Sequence, residues 1–355
     1  MSTYHKEENL KLTMKLRGIL EKLPEFCTDF FRGIADTHQI KTRIVYADDL
    51  RIFFYYLYNN DKKFKDRESL TDFYVEDLDN ISAIDIEKFS EFLSAYQMPH
   101  WQDQNKMVTY TNAASGKMRK LSTLRTFYKY YYKKEIIKTN PTVLVDLPKI
   151  KEKPIIRLEP NESADLLDAV ESGDTLTEEQ KKRTKMPLRD LAIISLLLGT
   201  GIRISECVGI DVSDINFKDD SFLVTRKGGN QAILYMPGEV RDILQRYYEE
   251  ERKDMEPLQG HENAFFLSSH RKRIGVSNVQ KMLKKYTDTV VSQKKISPHK
   301  LRSTYGTNLY NETGDIYLVA EVLGHSDINT TKKHYTAINE DRKRSAAKVT
   351  KLRKE

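Results

Sequence analysis

The sequence predicts a mainly α-helical protein with one small antiparallel β-sheet, divided into a helical bundle and a mixed α/β domain. Apolar residues recur at helical spacing through most of the chain, which favours helices. Strand-like segments at residues 222–225 and 232–236 flank the segment 227–230. Its paired glycines, Gly228 and Gly229, supply the positive φ angles that a tight hairpin needs. At 355 residues the chain exceeds one typical domain, so two domains are expected.

Residues 1–147 are predicted to form the helical bundle. Within residues 39–59 the apolar side chains fall on one helical face: Ile44, Ala47, Leu50, Phe54 and Leu57. Further helices are expected over 5–23, after Pro24, from Ser82 or Asp85 through Tyr96, and over 115–134. No segment of this half alternates like a strand. Residues 1–36 are interpreted as an extra N-terminal helical extension of the bundle.

A proline-rich, basic segment at residues 148–157 suits an extended linker to a second domain, residues 158–355. The charged stretch 173–186 is expected to be a surface loop. Apolar periodicity predicts a series of helices in this domain: residues 163–172, 187–198, 238–251, 276–291, 298–310, 316–323 and a C-terminal tail helix at 339–355.

Composition narrows the class of protein. The formal net charge is +7 and the isoelectric point is near 9.0, which favours a polyanionic partner. Two cysteines, Cys27 and Cys207, cannot build a disulfide framework, and neither has a metal-ligand spacing with histidine. The chain has no apolar run of membrane-spanning length and no signal peptide, so a cytoplasmic protein without a bound metal is expected.

Phosphate binding is the first chemistry that the sequence indicates. Arg203 follows a glycine-containing turn after an apolar helix, and Arg302 lies three residues after His299, on the same helical face. The planar guanidinium matches phosphate oxygens two at a time. The ordinary alternative is a surface ion pair, but both arginines lie beside apolar sequence that should be buried.

Tyr335 is the candidate nucleophile. A free phenol has a pKa of about 10, nearby cations lower it, and the phenolate can attack phosphorus. The chain has 20 tyrosines, so a packing role is the alternative; His325, ten residues earlier, favours the chemical role. Cleavage of a phosphodiester expels an alkoxide that needs a proton, and Lys227 at the hairpin tip is the candidate acid. Its alternative is an exposed turn lysine.

Two histidines and one carboxylate complete the candidate site. His299 and His325 can donate or accept protons, although a single histidine is more often a structural hydrogen-bonding group. Glu206 follows Arg203 by one helical turn and is expected to orient an active-site group or balance its charge rather than to react.

Residues 115–138 contain many basic residues and one acid, Glu135. Arg125, Lys129 and Lys133 are spaced by four and are expected to share an outer face. The expected inward face consists of apolar and aromatic residues: Met118, Leu121, Leu124, Phe127 or Tyr128, and Tyr131. A basic face of this kind fits a helix lying on a DNA duplex, and the alternative is an ordinary solvated face. The candidate DNA contacts are Lys117, Arg119, Lys120, Arg125, Lys129 and Lys133.

The order of the candidate catalytic residues resembles that of the tyrosine recombinase family: Arg203, Lys227, His299, Arg302, His325 and Tyr335. The segment 199–206 resembles the family's first arginine box and 297–302 its second. The segments 323–326 and 330–335 resemble the boxes that follow. In the other half, residues 117–132 resemble the basic helix that ends the family's core-binding domain, so the resemblance covers nearly the whole chain. It implies a helical core-binding domain followed by a mixed α/β catalytic domain.

The resemblance also implies roles for these residues. Three of them would bind the scissile phosphate: Arg203, Arg302 and His325. His299 would assist proton transfer at the nucleophile, Lys227 would protonate the departing 5′ oxygen, and Tyr335 would form a 3′-phosphotyrosyl link. The covalent link conserves the bond energy, so the reaction would need no metal, ATP or other cofactor.

The implied partner is double-stranded DNA. Four protomers on two duplexes would exchange strands through a Holliday junction, with the tail 339–355 donated to a neighbour. Within the family, the one-protein, two-domain layout favours the Xer type, which resolves chromosome dimers at a dif-like site during cell division. A mobile-element integrase, a type IB topoisomerase-like enzyme and a non-catalytic DNA-binding protein remain alternatives. Whether a DNA translocase such as FtsK takes part stays open.

Overall fold

The structure, a computed structural model, describes residues 3–100, 103, 105–150, 156–226 and 228–325. The chain divides into two compact units, Met1–Glu152 and Lys153–Glu355. This division falls within the segment 148–157 that the sequence predicts as a linker. The candidate residues Lys227 and Tyr335 and the predicted tail helix lie outside the described residues.

The N-terminal unit is a bundle of helices that carries one β-hairpin. Its α-helices are α1 (Thr3–Leu20), α2 (Cys27–Gly33), α3 (Ile40–Asn60), α4 (Ala83–Phe92) and α5 (Ala114–Lys133). Short 3₁₀ helices occupy Lys62–Phe64, Val75–Asn80 and Pro141–Leu144. Strands β1 (Ala95–Pro99) and β2 (Met107–Thr111) pair in antiparallel fashion, with Ala95 opposite Thr111 and Pro99 opposite Met107.

The hairpin corrects two expectations from the sequence. The helix expected to run through Tyr96 ends at Phe92, and this half of the chain does contain strands. The physical reason is that burial alternates with a period of two residues. Tyr96 and Met98 are buried, whereas Ala95 and Gln97 are exposed. Such a short alternation is hard to distinguish from the end of an amphipathic helix.

The core of the N-terminal unit is aromatic. Helix α5 turns one face inward as the periodicity predicts, with Leu121, Leu124, Phe127, Tyr128 and Tyr131 all buried. Phe127 meets the rings of Phe26 and Phe30, at the start of α2 and within it, and the ring of Phe54 on α3. Each such burial contributes roughly 1.5–3 kcal/mol relative to exposure, so this face fixes the orientation of α5.

The C-terminal unit contains the remaining helices and a three-stranded sheet. The helices are α6 (Pro160–Ser172), α7 (Glu178–Arg183), α8 (Pro187–Thr200), α9 (Ile204–Gly209), α10 (Gly238–Tyr247), α11 (Val276–Val290), α12 (Pro298–Thr313) and α13 (Ile316–Leu323). A π-helical turn, Tyr248–Arg252, extends α10, and a 3₁₀ turn covers Val212–Asp214. The antiparallel sheet has the order β3 (Ile215–Asn216), β4 (Ser221–Thr225) and β5 (Gln231–Tyr235). Helix α7 corrects the expected loop at 173–186, and β3 was not expected.

Helix α8 lies at the centre of this unit. It packs against α6, α9, α10, α11 and α12, and its residues 191–197 are buried without a break. It ends at Gly201, whose φ of +63° lies in the left-handed region that glycine adopts readily. A Cβ on Gly201 would lie 2.3 Å from Cδ1 of Tyr305 on α12 and 2.9 Å from Cδ2 of Leu323 on α13. The end of α8 therefore lies against α12, which carries His299 and Arg302, and against α13, which leads into His325.

Among the described residues, no helix is both long and apolar enough to cross a membrane.

Candidate active site

Arg203 lies at the junction between α8 and α9. It precedes the first residue of α9, two residues after the left-handed Gly201. Glu206, in the first turn of α9, accepts from the Arg203 backbone N–H at 2.8 Å and from its Nη1 at 2.7 Å. The Glu206 side chain is only 4% exposed, whereas that of Arg203 is 31% exposed. The buried carboxylate therefore orients the Arg203 guanidinium, which stays open to solvent on one side.

Arg302 lies on α12 and is almost completely buried, with 4% of its surface exposed. Its Nη1 donates to the carbonyl oxygen of Gly201 at 2.7 Å, and its Nη2 donates to the carbonyl oxygen of Leu323. The surface ion pair considered from the sequence does not describe this arginine, because carbonyls hold it inside the unit. The contacts tie together the end of α8, the middle of α12 and the end of α13.

The C-terminal end of α13 is held by three arginines. Arg226 donates from Nη1 to the carbonyl oxygen of Glu321 at 3.1 Å and from Nη2 to that of Val322 at 3.0 Å. Leu323 accepts from Arg302, and Gly324 accepts from Nη2 of Arg203 at 3.0 Å. Four successive carbonyls, at residues 321–324, thus accept from guanidinium groups.

This arrangement solves a general problem of helix ends. The last carbonyls of a helix lack intrahelical partners, and the helix dipole places partial negative charge there. Guanidinium groups satisfy the carbonyls and complement that charge. As a consequence, three cations converge on the turn that leads from α13 into His325.

The two candidate histidines lie next to this cluster in sequence and on its elements. His299 is the second residue of α12, is exposed, and precedes Arg302 by three residues, hence shares its side of the helix. His325 directly follows Gly324, is half-buried, and donates its backbone N–H to the carbonyl oxygen of Ala320 at 2.9 Å. The structure therefore brings together Arg203, Glu206, Arg302 and the turn that carries His325.

The candidate DNA contacts on α5 fall into two groups. In the first, the side chain already has a protein partner. Lys117 donates to Oγ of Ser94 at 2.5 Å, and Arg119 forms an ion pair with the buried Asp49. Lys120 is buried and donates to Oδ1 of Asn112 at 2.7 Å.

Burial affects the charges of this first group. Desolvation lowers the pKa of Lys120 from its ordinary value. Desolvation also raises the pKa of Asp49, against the opposing effect of Arg119. Arg119 and Thr123 both donate to Asp49 on α3 and so anchor α5 to that helix.

Arg125 belongs with the same group. It donates from Nε to the carbonyl oxygen of Thr142 at 3.2 Å and from Nη2 to that of Val145 at 2.6 Å. The expectation that Arg125 shares an exposed outer face with Lys129 and Lys133 is therefore wrong, because its guanidinium is used to hold the segment after α5. Lys129 and Lys133 are exposed, and neither side chain makes an ion pair or hydrogen bond within the described part of the chain.

Sequence reasoning did not identify Arg226. It follows the last residue of β4 and immediately precedes Lys227. Its basic character beside the hairpin glycines was visible, but its partners lie 95 and 96 residues further along the chain, where no local pattern points to them. No group of three or more His, Cys, Asp or Glu able to hold a metal occurs among the residues that the structure describes.

The chain is similar in sequence to proteins of one known family. Residues 157–342 match the model of the phage integrase family. The tyrosine recombinase XerC of Caldanaerobacter subterraneus subsp. tengcongensis is 31% identical over 317 residues, covering 87% of this chain and 81% of that protein. The tyrosine recombinase XerS of Streptococcus mutans is 27% identical over 367 residues, covering 95% of this chain and 99% of that protein.

Solved structures show the same fold. The Tn1549 transposon integrase in complex with transposon right end DNA has a TM-score of 0.64 at 19% identity, over 91% of this chain and 98% of that one. The XerH site-specific recombinase bound to a palindromic difH substrate has a TM-score of 0.61 at 18% identity, over 87% of this chain and 79% of that one.

The match over residues 157–342 and the XerC identity define the class of enzyme: a tyrosine recombinase. The chain belongs to the phage integrase family, and within it the chain is a site-specific DNA recombinase of the Xer type.

Proposed function

We propose that this recombinase cleaves and rejoins DNA through a 3′-phosphotyrosyl intermediate on Tyr335 and resolves chromosome dimers at a dif-like site. One observation carries the chemical part. Arg203 and Arg302 donate to the carbonyls of Gly324 and Leu323, the two residues before His325. Three groups suited to a phosphate are thereby attached to one turn, and a preorganised cluster costs little reorganisation when charge develops on the phosphate oxygens.

In the proposed reaction, the Tyr335 oxygen attacks the scissile phosphorus, and the P–O bond to the 5′ oxygen breaks. His299 assists removal of the phenol proton, and Lys227 gives a proton to the departing 5′ oxygen. Arg203, Arg302 and His325 stabilise the charge on the non-bridging oxygens. The 5′ hydroxyl of a partner strand then attacks the phosphotyrosyl phosphorus and releases Tyr335, so one bond is exchanged for an equivalent one at each step.

The proposed assembly is a tetramer on two paired DNA sites. Each protomer cleaves one strand, and two rounds of exchange pass through a Holliday junction. The tail 339–355 is donated to a neighbouring protomer, which makes the assembly cyclic. The N-terminal unit holds DNA through exposed cations of α5, of which Lys129 and Lys133 are the candidates with free side chains within the described residues.

Dimer resolution is favoured by the relatives. The XerS and XerC proteins align over most of this chain, and the XerH structure contains a difH substrate. A mobile-element integrase is the alternative role, because the fold similarity extends equally to the Tn1549 integrase. A DNA translocase such as FtsK is the candidate regulator in the first role.

Covalent trapping tests the proposal. The full-length protein is incubated with fragmented genomic DNA of its own source, covalent complexes are isolated under denaturing conditions, and the attached ends are sequenced. Tyr335→Phe serves as the control and should give no adduct while still binding duplex. Adducts at one chromosomal locus with inverted half-sites support dimer resolution. Adducts at the ends of a mobile element support the integrase role, and an undiminished adduct in Tyr335→Phe contradicts the assigned nucleophile.

A further inference from the structure

Arg226 links the β4–β5 hairpin to the end of α13. Its backbone closes the hairpin: the N–H donates to the carbonyl oxygen of Asn230 at 2.7 Å, and its carbonyl accepts from the N–H of Gly229 at 3.0 Å. Its side chain leaves the hairpin and donates to the carbonyl oxygens of Glu321 and Val322 at 3.1 and 3.0 Å. One residue therefore joins two segments that are far apart in sequence.

The guanidinium of Arg226 also lies directly against Gly324. Gly324 has a φ of +63°, and a Cβ built there would lie 2.0 Å from Nη1 and 2.6 Å from Cζ of Arg226. Only a residue without a side chain leaves room for this approach. The guanidinium thus sits on the residue immediately before His325, beside the carbonyl that accepts from Arg203.

We propose that Arg226 is a positioning residue, which fixes the position of the hairpin that carries Lys227 relative to the turn that carries His325. This inference rests on the proposed roles of Lys227 as acid and His325 as phosphate ligand. The Cα atoms of neighbouring residues lie about 3.8 Å apart, so anchoring Arg226 limits where the backbone of the next residue can be. The two residues after Lys227 are glycines with φ of +96° and +88°, which give that side of the turn little intrinsic stiffness.

The planar guanidinium of Arg226 is essential to this role. Its two terminal nitrogens donate to two successive carbonyls at a fixed spacing, whereas a lysine at this position offers one flexible ammonium group. Substitution by lysine retains the positive charge at the end of α13, and it removes the two-point attachment. The Arg226→Lys variant therefore separates positioning from simple charge.

The decisive measurement compares two DNA substrates. A duplex carrying a site recovered by covalent trapping is prepared with the normal 5′ oxygen, and again with a 5′-bridging phosphorothiolate, whose sulfur leaves without a proton. Single-turnover cleavage is measured for wild type, Arg226→Lys, Lys227→Ala and Arg241→Ala. Arg241 on α10 is the matched control, because it pairs with its neighbour Asp242 and with Asp220, which precedes β4 at the end of the strand away from Arg226.

General acid catalysis contributes roughly 10²–10⁴-fold, so a misplaced acid should cost at least about 10-fold. We expect Arg226→Lys to slow the normal substrate by that amount and to approach wild-type rates on the phosphorothiolate, with Arg241→Ala unchanged on both. An equal defect of Arg226→Lys on the two substrates overturns the inference, because Arg226 then acts on the phosphate or only on the stability of α13. Rescue of Lys227→Ala reports separately on the proposed acid: if Lys227→Ala is not rescued, the proposed function fails first.

A second measurement needs no DNA, and its result does not depend on the proposed role of Lys227 as the acid. Amide hydrogen exchange is measured on the free full-length protein. We expect Arg226→Lys to speed exchange both in the hairpin turn, at the N–H groups of Arg226 and Gly229, and in the last turn of α13, with the rest of the C-terminal unit unchanged. Acceleration in α13 alone would show that Arg226 caps the helix without holding the hairpin.

Discussion

The guanidinium of Arg302 donates to the carbonyl oxygen of Gly201 at 2.7 Å, which joins the end of one central helix to the interior of another. A buried arginine in this position serves the structure and the candidate chemistry together. The other arginine proposed to bind phosphate, Arg203, is less buried: its side chain is 31% exposed and is oriented by Glu206. Two arginines with parallel predicted roles therefore differ in how much the fold depends on them.

Replacing each arginine by lysine should reveal this difference. Arg302→Lys should lower the stability of the protein by about 1–3 kcal/mol, because at least one buried carbonyl loses its donor. Arg203→Lys should cost less, since this side chain is 31% exposed and a lysine keeps a positive charge beside the buried Glu206, yet both should reduce cleavage of a trapped site strongly. Urea unfolding and single-turnover cleavage measure the two effects. Equal stability losses would show that burial at Arg302 has no energetic consequence.

Gly201→Ala should destabilise the protein more than Gly173→Ala. Both glycines end helices with similar left-handed φ angles, +63° and +69°, so the backbone strain of about 1–3 kcal/mol is shared. A Cβ at Gly173 meets nothing within 4 Å, whereas one at Gly201 meets the Tyr305 ring at 2.3 Å. The excess loss in Gly201→Ala, measured by urea unfolding, therefore reports the packing of α12 on α8. Equal losses would mean that Tyr305 moves aside freely.

Local sequence patterns predicted which residues of the candidate site lie near the core, but not their long-range partners. Apolar neighbouring sequence indicated that Arg203 and Arg302 lie at the edge of the core rather than on the open surface, and helical periodicity predicted the inward face of α5. The partners of the basic residues could not be predicted in the same way. Arg119 pairs with Asp49 70 residues away, and Arg226 reaches carbonyls 95 and 96 residues away, so only tertiary packing decides that these cations are engaged. The sequence distinguishes a basic helix from an acidic one, but it does not show which cations remain free.

The tail prediction concerns residues beyond the described part of the chain. Deleting residues after Ile338 should leave binding of one protomer to a half-site intact and impair cooperative assembly and recombination. The segment 339–355 alternates basic and apolar residues, which suits an amphipathic helix docked on a neighbour. The truncated protein with intact Tyr335 is mixed with a full-length Tyr335→Phe partner. Restored cleavage by the truncated protomer indicates donation in trans. If no mixing ratio restores it, although both proteins occupy the same DNA, the tail acts within its own protomer.

The exposed cations of α5 give a prediction about salt. Replacing both Lys129 and Lys133 by alanine should weaken DNA binding. It should also reduce the slope of log affinity against log salt by roughly two, one for each lost phosphate contact. Lys65→Ala with Lys182→Ala is the control, since both lysines are exposed and lie outside α5. Binding is measured on one duplex at several salt concentrations.

Arg125→Ala should behave in the opposite way. Its guanidinium holds the carbonyls of Thr142 and Val145, so its loss should reduce the free energy of unfolding by about 1–3 kcal/mol. The salt slope of the folded protein should stay close to that of wild type, because Nε and Nη2 of this half-buried side chain are directed at protein carbonyls. A slope reduced by one in Arg125→Ala, with stability unchanged, would mean that Arg125 leaves its carbonyls to bind DNA. An unchanged slope in the double lysine variant would place the DNA-binding surface of the N-terminal unit away from Lys129 and Lys133.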